Sequence, residues 1–245
     1  DLLAAAHLNW VLIGIESLNQ AALDEIDKHQ SVEDIRRAGI ACKEHGIQLI
    51  ASIVLGIDQD GPEDIARTVE FAKSIDASKL QPAILTPFPG TPVYEQFCKE
   101  GRMIASDERD WEQFDMMNAT FQPKKMSPWD LEMEFYRSAC SFYDRKSTLR
   151  MARLFGPGYA MKRYGLAVCA RLGRFAVWTA GTFAKDTPYY RLKHEPWMFA
   201  DENGKGAAPA KSEVDTRELL ERVLLAVDTV AIVGLGIARR KEALA

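Results

Sequence analysis

Three short aliphatic runs set the fold class: WVLIGIE (10–16), IQLIASIVLGI (47–57) and KLQPAILT (79–86). The first is rich in Val, Ile and Leu with polar residues only at its end, the pattern of a strand covered on both faces. Each gives way to a stretch with helical periodicity, which predicts consecutive strand-helix units of an α/β protein. Local signals mark the helix ends. A helix is expected from about Asn19 to Lys28, and in SVEDIRRAGIACKEHG a second is capped by Ser31, aligns Ile35, Ala38 and Cys42, and stops at Gly46. Pro62 opens a third that runs to about Ile75, with Glu63 and Asp64 at its positive end. A fourth spans about Thr91 to Glu100 and stops at Gly101, while Pro82 predicts an irregularity or an unpaired amide in the third strand.

Three such units are half a barrel at most. Residues 1–101 are therefore expected to form half of a partial (β/α), TIM-like barrel. Residues 102–145 follow as an irregular aromatic stretch and a long helix, and 146–245 as a basic, amphipathic α-helical C-terminal extension with a flexible polar linker near 200–213. Within PWDLEMEFYRSACSFYDRK, the stripe Leu131, Phe135, Ala139 and Phe142 reads first as core packing and second as a ligand wall. The closing TRELLERVLLAVDTVAIVGLGIARRKEA reads as helical, but its longest uncharged run, Thr229 to Ala238, is too short to span a bilayer.

At 245 residues, 47% hydrophobic and 27% charged, the chain can bury a sizeable core. It opens at Asp1 with neither an initiator methionine nor a leader pattern, so we expect a segment of a longer protein. Cys42, Cys98, Cys140 and Cys169 are separated by 56, 42 and 29 residues, and the four histidines show no ligand spacing. That spacing suits scattered reduced thiols in a cytoplasmic protein, with no metal site formed by this chain. The net charge of −4 conceals a division: Lys146 to Lys193 holds ten Lys or Arg against the single acid Asp186.

The chemistry gathers at strand ends, because in a parallel barrel the loops after the strands converge on one mouth. Glu16 and Ser17 end the first run, Gly56, Asp58 and Asp60 follow the second, and Thr86 with PFPGTP follows the third. A carboxylate can accept two neighbouring hydroxyls or an amine, and an adjacent Ser both donates and accepts. Gly56 would admit a flat ring close to the backbone, and the proline-rich turn is stiff. Taken singly, Glu16 also reads as an acid at a helix start, Asp60 as a cap and Gly90 as a turn glycine.

Together, GIESLNQAALDEIDK, IVLGIDQDGPEDIARTVEFA and ILTPFPGTPVYEQFCKEGR resemble, in order and spacing, the second half of the radical S-adenosylmethionine core. The likeness is greatest to the cobalamin-dependent branch and extends to about residue 145 through DWEQFDMMNATFQPKKMSP and the helix after it. The resemblance implies an enzyme that reductively cleaves S-adenosylmethionine to a 5′-deoxyadenosyl radical for hydrogen abstraction, followed in the cobalamin branch by methyl transfer or rearrangement. It implies that Glu16 and Ser17 contact the ribose or methionine portion, that Ile53, Val54 and Gly56 line the adenine, and that Leu85, Thr86, Pro87 and Phe88 close over that ring. Asp58 and Asp60 match an acidic strand end open to substrate or cofactor. The family's CxxxCxxC loop, which holds a [4Fe-4S] cluster, precedes the GIES strand, and its pattern does not occur here, so this chain by itself is expected to be inactive. A cobalamin-binding domain would also lie upstream, and the cluster would need an external electron donor.

The basic extension mixes Lys and Arg with Phe, Trp and Leu, which suits either amphipathic helices on an anionic membrane or helices packed on the barrel with their charges in water. The first of these fits a lipid-like small-molecule substrate and a cytoplasmic enzyme held peripherally at a membrane. Nucleic-acid binding is not expected, since the rest of the chain is acidic and shows no recognisable module. Two rivals stand beside this reading: a radical S-adenosylmethionine enzyme without cobalamin, such as a methylthiotransferase-like one, and a non-catalytic membrane-associated scaffold.

Overall fold

A computed structural model describes residues 2–26, 28, 31–105, 111–184 and 188–194. The three aliphatic runs form strands β1 (Trp10–Glu16), β2 (Gln48–Leu55) and β3 (Lys79–Ile84). They pair in parallel in the order β1-β2-β3, and an irregularity between Gly14 and Glu16 shifts the register at the end of β1. Pro82 sits in register opposite Ile53, on a strand that is an edge of this sheet, where a lost amide donor is tolerated.

The helices are α1 (Leu2–Ala5), α2 (Gln20–Glu25), α3 (Val32–Glu44), α4 (Pro62–Ser74), α5 (Pro92–Lys99), α6 (Pro128–Phe142), α7 (Arg145–Phe155), α8 (Pro157–Phe183) and α9 (Pro188–His194), with a 3-10 turn at Trp111–Gln113. Their starts follow the capping chemistry. Ser31 and Asp34 exchange a capping box at α3, Pro62 opens α4, and Thr91 and Ser127 accept from backbone amides at the starts of α5 and α6. The helix expected from Asn19 to Lys28 is shorter: Asn19 caps it and Ile26 ends it. The linker near 200–213 and the closing helical segment lie outside the described residues.

Each strand divides its side chains between two faces. Leu49, Ala51, Ile53 and Leu55 of β2, with Ile15 of β1 and Leu80 and Ile84 of β3, are buried against Ile35 of α3, Ile65 and Val69 of α4, and Leu131 of α6. The opposite face is open: Trp10, Leu12, Lys79 and Gln81 are exposed, and Ile50, Ser52 and Val54 are half-buried. The first run predicted a strand covered on both faces, and among the described residues the helices cover one.

The stripe on α6 is core, since Leu131 and Phe142 are fully buried. A buried guanidinium ties the extension to the sheet. Arg163 of α8 donates to the carbonyls of Ser78 and Phe142 and to the Ser147 hydroxyl, and lies 4.8 Å and 4.9 Å from the ring centroids of Phe142 and Tyr143. No described helix is long and apolar enough to cross a membrane.

Candidate active site at the strand ends

Glu16 ends β1 in a left-handed conformation, φ 59°, which costs an L-residue about 1–2 kcal/mol. Such strain persists where the surroundings hold it, and it clusters at functional sites. Here two features hold it. Glu16 Oε1 accepts from Lys28 Nζ at 2.9 Å, and the carboxylate lies over Gly14, where a Cβ would collide with that same oxygen and stand 2.8 Å from Lys28 Nζ. Gly14 pairs with Ser52 across the sheet, so the carboxylate is laid on the open face at its C-terminal end. Val54 and its partner Ala83 are half-buried on that face.

Ser17 takes a different role from the expected one. It is completely buried, its hydroxyl accepts from the Asn19 amide at 3.0 Å, and it lies beside Asp60. Asn19 Nδ2 donates to the Gln59 carbonyl at 2.8 Å, and the Leu18 amide donates to Thr68 Oγ1 at 3.1 Å. Asn19 therefore ties the loop after β1 to the loop after β2 around the buried Ser17, whose side chain has no free path to a bound molecule. Asp60 shares this burial, which pushes its carboxyl above the ordinary range, and one of its oxygens lacks a hydrogen-bond donor.

Gly56 and Ile53 also depart from the expectation. Gly56 has φ 91°, and an added Cβ would stand 2.8 Å from Leu131 and 3.3 Å from Phe121. On the side where a Cβ would stand, the groups that approach Gly56 thus belong to α6 and the loop before it. Ile53 is fully buried on the helix-packed face, which leaves its backbone alone toward the open side. Of that strand's expected residues, Val54 is the one whose side chain faces outward.

The turn after β3 is ordered by its own residues. Thr86 donates its hydroxyl to the Ile84 carbonyl at 3.0 Å, Pro87 is buried, and Gly90 adopts φ 84°. Phe88 is exposed at its edge and lies 6.4 Å from Phe114, which stacks on Trp111. These aromatics roof the turn.

A cleft of about 750 Å³ opens at this same end of the sheet, lined by α2, the loop after β2, Leu85 after β3, and Phe97 of α5. That size lies within the range of small-molecule sites. Its polar wall is Glu25, Asp58, Gln59, Gln96 and Lys124. Asp58 is buried and gripped by the Arg102 guanidinium through both oxygens, with Lys124 Nζ at 2.8 Å. Burial opposes ionisation of Asp58, but the hydrogen bonds from Arg102 and Lys124 prevail and hold its carboxyl below the usual range. Glu25 is shifted the other way, by burial first and the nearby Asp58 charge second. Among the expected residues the cleft gathers Leu85 and Asp58. Glu25, Arg102 and Lys124 were not anticipated, since each sits in an ordinary helical or loop context with no motif around it.

The residues present do not fit an iron-sulfur cluster. Among the described residues no group of three His, Cys, Asp or Glu could hold a metal ion, and the four thiols are dispersed. They fit an amine- or hydroxyl-bearing cofactor better, because Glu16 offers a partly exposed carboxylate on an open strand end.

Parallel strand-helix units with their strand ends around one cleft define an α/β protein suited to hold a small molecule at the sheet's C-terminal edge. Comparison with known proteins narrows the class. The chain is 25% identical over 157 residues to an uncharacterized methyltransferase of Pyrococcus horikoshii, covering 62% of this chain and 33% of that protein. It is 25% identical over 165 residues to hopanoid C-2 methylase of Rhodopseudomonas palustris, covering 67% and 27%, and 26% identical over 157 residues to bacteriochlorophyllide d C-8(2)-methyltransferase of Chlorobaculum tepidum, covering 63% and 34%. A solved structure of the radical S-adenosylmethionine methyltransferase TsrM from Kitasatospora setae, with cobalamin and a [4Fe-4S] cluster bound, matches 44% of this chain and 22% of its own at 24% identity and TM-score 0.39. No family model matches the chain. The chain is similar to these curated methyltransferases and methylase, and spans about a third of their length.

Proposed function

We propose that the chain is the second half of the barrel of a longer radical S-adenosylmethionine enzyme, in which further strands close over the open sheet face. Parallel sheets are covered on both faces, and this one leaves Trp10, Leu12, Ile50 and Val54 wholly or partly exposed. On this reading residues 1–101 supply the half barrel, 102–145 the wall and long helix behind it, and 146–245 a helical extension.

The observation that carries the reading is the Glu16 carboxylate held over Gly14 in a strained conformation at the strand end. Glu16 would accept hydrogen bonds from the amine or ribose of S-adenosylmethionine, Val54 and the backbone of Ile53 and Gly56 would border the adenine, and Leu85 to Phe88 would close beside it. When bound and reduced by one electron, that cofactor supplies a 5′-deoxyadenosyl radical for hydrogen abstraction. The cluster ligands and a cobalamin site belong to other portions of the protein, which would also meet the electron donor. The substrate is a small molecule, taken here as lipid-like; the relatives above are named for a hopanoid and a bacteriochlorophyllide. The enzyme would work in the cytoplasm with peripheral membrane contact through the extension.

The test is anaerobic incubation of the full-length protein with S-adenosylmethionine and a reductant, followed by mass spectrometry. Formation of 5′-deoxyadenosine or S-adenosylhomocysteine is expected. Recovery of the cofactor unchanged, with the cluster present, overturns the proposal.

A further inference from the structure

Helix α8 is built the wrong way round for a helix that exists to pack on its own protein. Toward α6 and α7 it turns small residues, Ala167, Gly173, Ala180 and Gly181, with Val177 and the buried Arg163. Tyr136 and Trp129 of α6 fill the space that side chains at Gly173 and Gly181 would take. Its large apolar residues face the other way. Met161, Tyr164, Leu172, Phe175 and Phe183 are 75%, 67%, 50%, 64% and 69% exposed, and with Val168 they recur at helical spacing along one stripe. A soluble surface scatters such residues singly, and a continuous stripe marks something that covers it.

The charge around the stripe says what. From Arg145 to Phe183 there are eight Lys or Arg and no Asp or Glu. Lys162 flanks the stripe on one side and Arg171 and Arg174 on the other, and Arg145, Lys146 and Arg153 of the preceding α7 are also exposed. Between α6 and α8 a cleft of about 570 Å³ is lined by Arg137, Arg171, Arg174, Phe175 and Trp178. It sets guanidinium groups beside aromatic rings, the pairing that receives a phosphate at a water-lipid boundary. With 27 residues α8 is about 40 Å long, yet its four cations bar it from crossing a bilayer.

We propose that the stripe of α8 lies in the headgroup region of an anionic phospholipid bilayer, with Phe175 and Leu172 in the acyl boundary and Arg171 and Arg174 on lipid phosphates. This rests on the peripheral contact proposed above and identifies the surface that makes it.

The experiment is co-sedimentation of the full chain with vesicles of phosphatidylglycerol and phosphatidylcholine in equal parts, and with phosphatidylcholine alone. The chain pellets with the anionic vesicles in low salt and is released in high salt. The double variant Leu172→Glu/Phe175→Glu loses roughly a hundredfold in partition, the scale of two large apolar side chains. Its thermal unfolding stays unchanged, because both residues are exposed, and Ile40→Glu on α3 pellets like the wild type. If the wild type stays in the supernatant, both the peripheral contact and this surface are wrong. If the wild type pellets and the double variant pellets equally, the contact stands and the α8 stripe is refuted. If light scattering shows a dimer that the double variant abolishes and no vesicle binding, the stripe is a subunit interface and the proposal fails.

Discussion

At the scale of single residues, the site separates side chains that face outward from those that hold the loops. Glu16 lies on the open sheet face on a strained backbone with one oxygen held by Lys28, while Asp58 is gripped through both oxygens by Arg102 and also by Lys124. The Asp58 shift has a definite sign. Its folded carboxyl titrates below the ordinary value of 3.8, so it contributes stability above that value and loses the contribution as pH falls through it toward the lower folded value. Thermal unfolding of the wild type should therefore steepen its decline below about pH 4, and Asp58→Asn should start less stable at neutral pH and flatten that acid limb. A variant with an acid limb as steep as the wild type would remove the ion pair from this role. Arg102 is fixed further by its guanidinium carbon 4.1 Å from the Phe97 centroid, which couples the pair to the core.

Among the elements, α8 is held by one buried cation with carbonyl, hydroxyl and ring partners, and burial lowers the pKa of Arg163 from its ordinary value. Arg163→Ala leaves the carbonyls of Ser78 and Phe142 without their donor and opens a void, at a cost of about 3 kcal/mol. Denaturant unfolding followed by circular dichroism should show that loss, whereas Arg171→Ala, on the exposed flank, should change stability by less than about 0.5 kcal/mol. Equal effects would contradict the anchoring role. The strands and α3 to α6 were legible because their signals are local: aliphatic runs, Ser31, Pro62, Thr91 and Ser127. The roles of Ser17 and Gly56 were not, because each depends on a neighbour far along the chain, Asp60 for the first and Leu131 with Phe121 for the second. Sequence shows that a glycine is needed, but not which side of it is crowded.

For the whole molecule, one account joins the open sheet face, the strained strand end and the third-length match to known methyltransferases. A sheet with one bare face, a carboxylate laid on that face and a cleft at its C-terminal edge suits the proposed half barrel, whose cofactor seat would be shared with other strands. The charge of the chain is divided too, with an excess of acids outside 146–193 and a basic apolar surface on α8. The motifs identified the family resemblance, while the cleft wall of Glu25 and Lys124 needed coordinates, since no spacing rule brings a helix after β1 beside a loop before α6.

The most direct measurement is the affinity of the full-length protein for S-adenosylmethionine by titration calorimetry, wild type against Glu16→Ala. The account predicts a weakening of about 1–3 kcal/mol, the scale of losing a charged hydrogen-bonding partner, with the fold preserved. An unchanged affinity would contradict it.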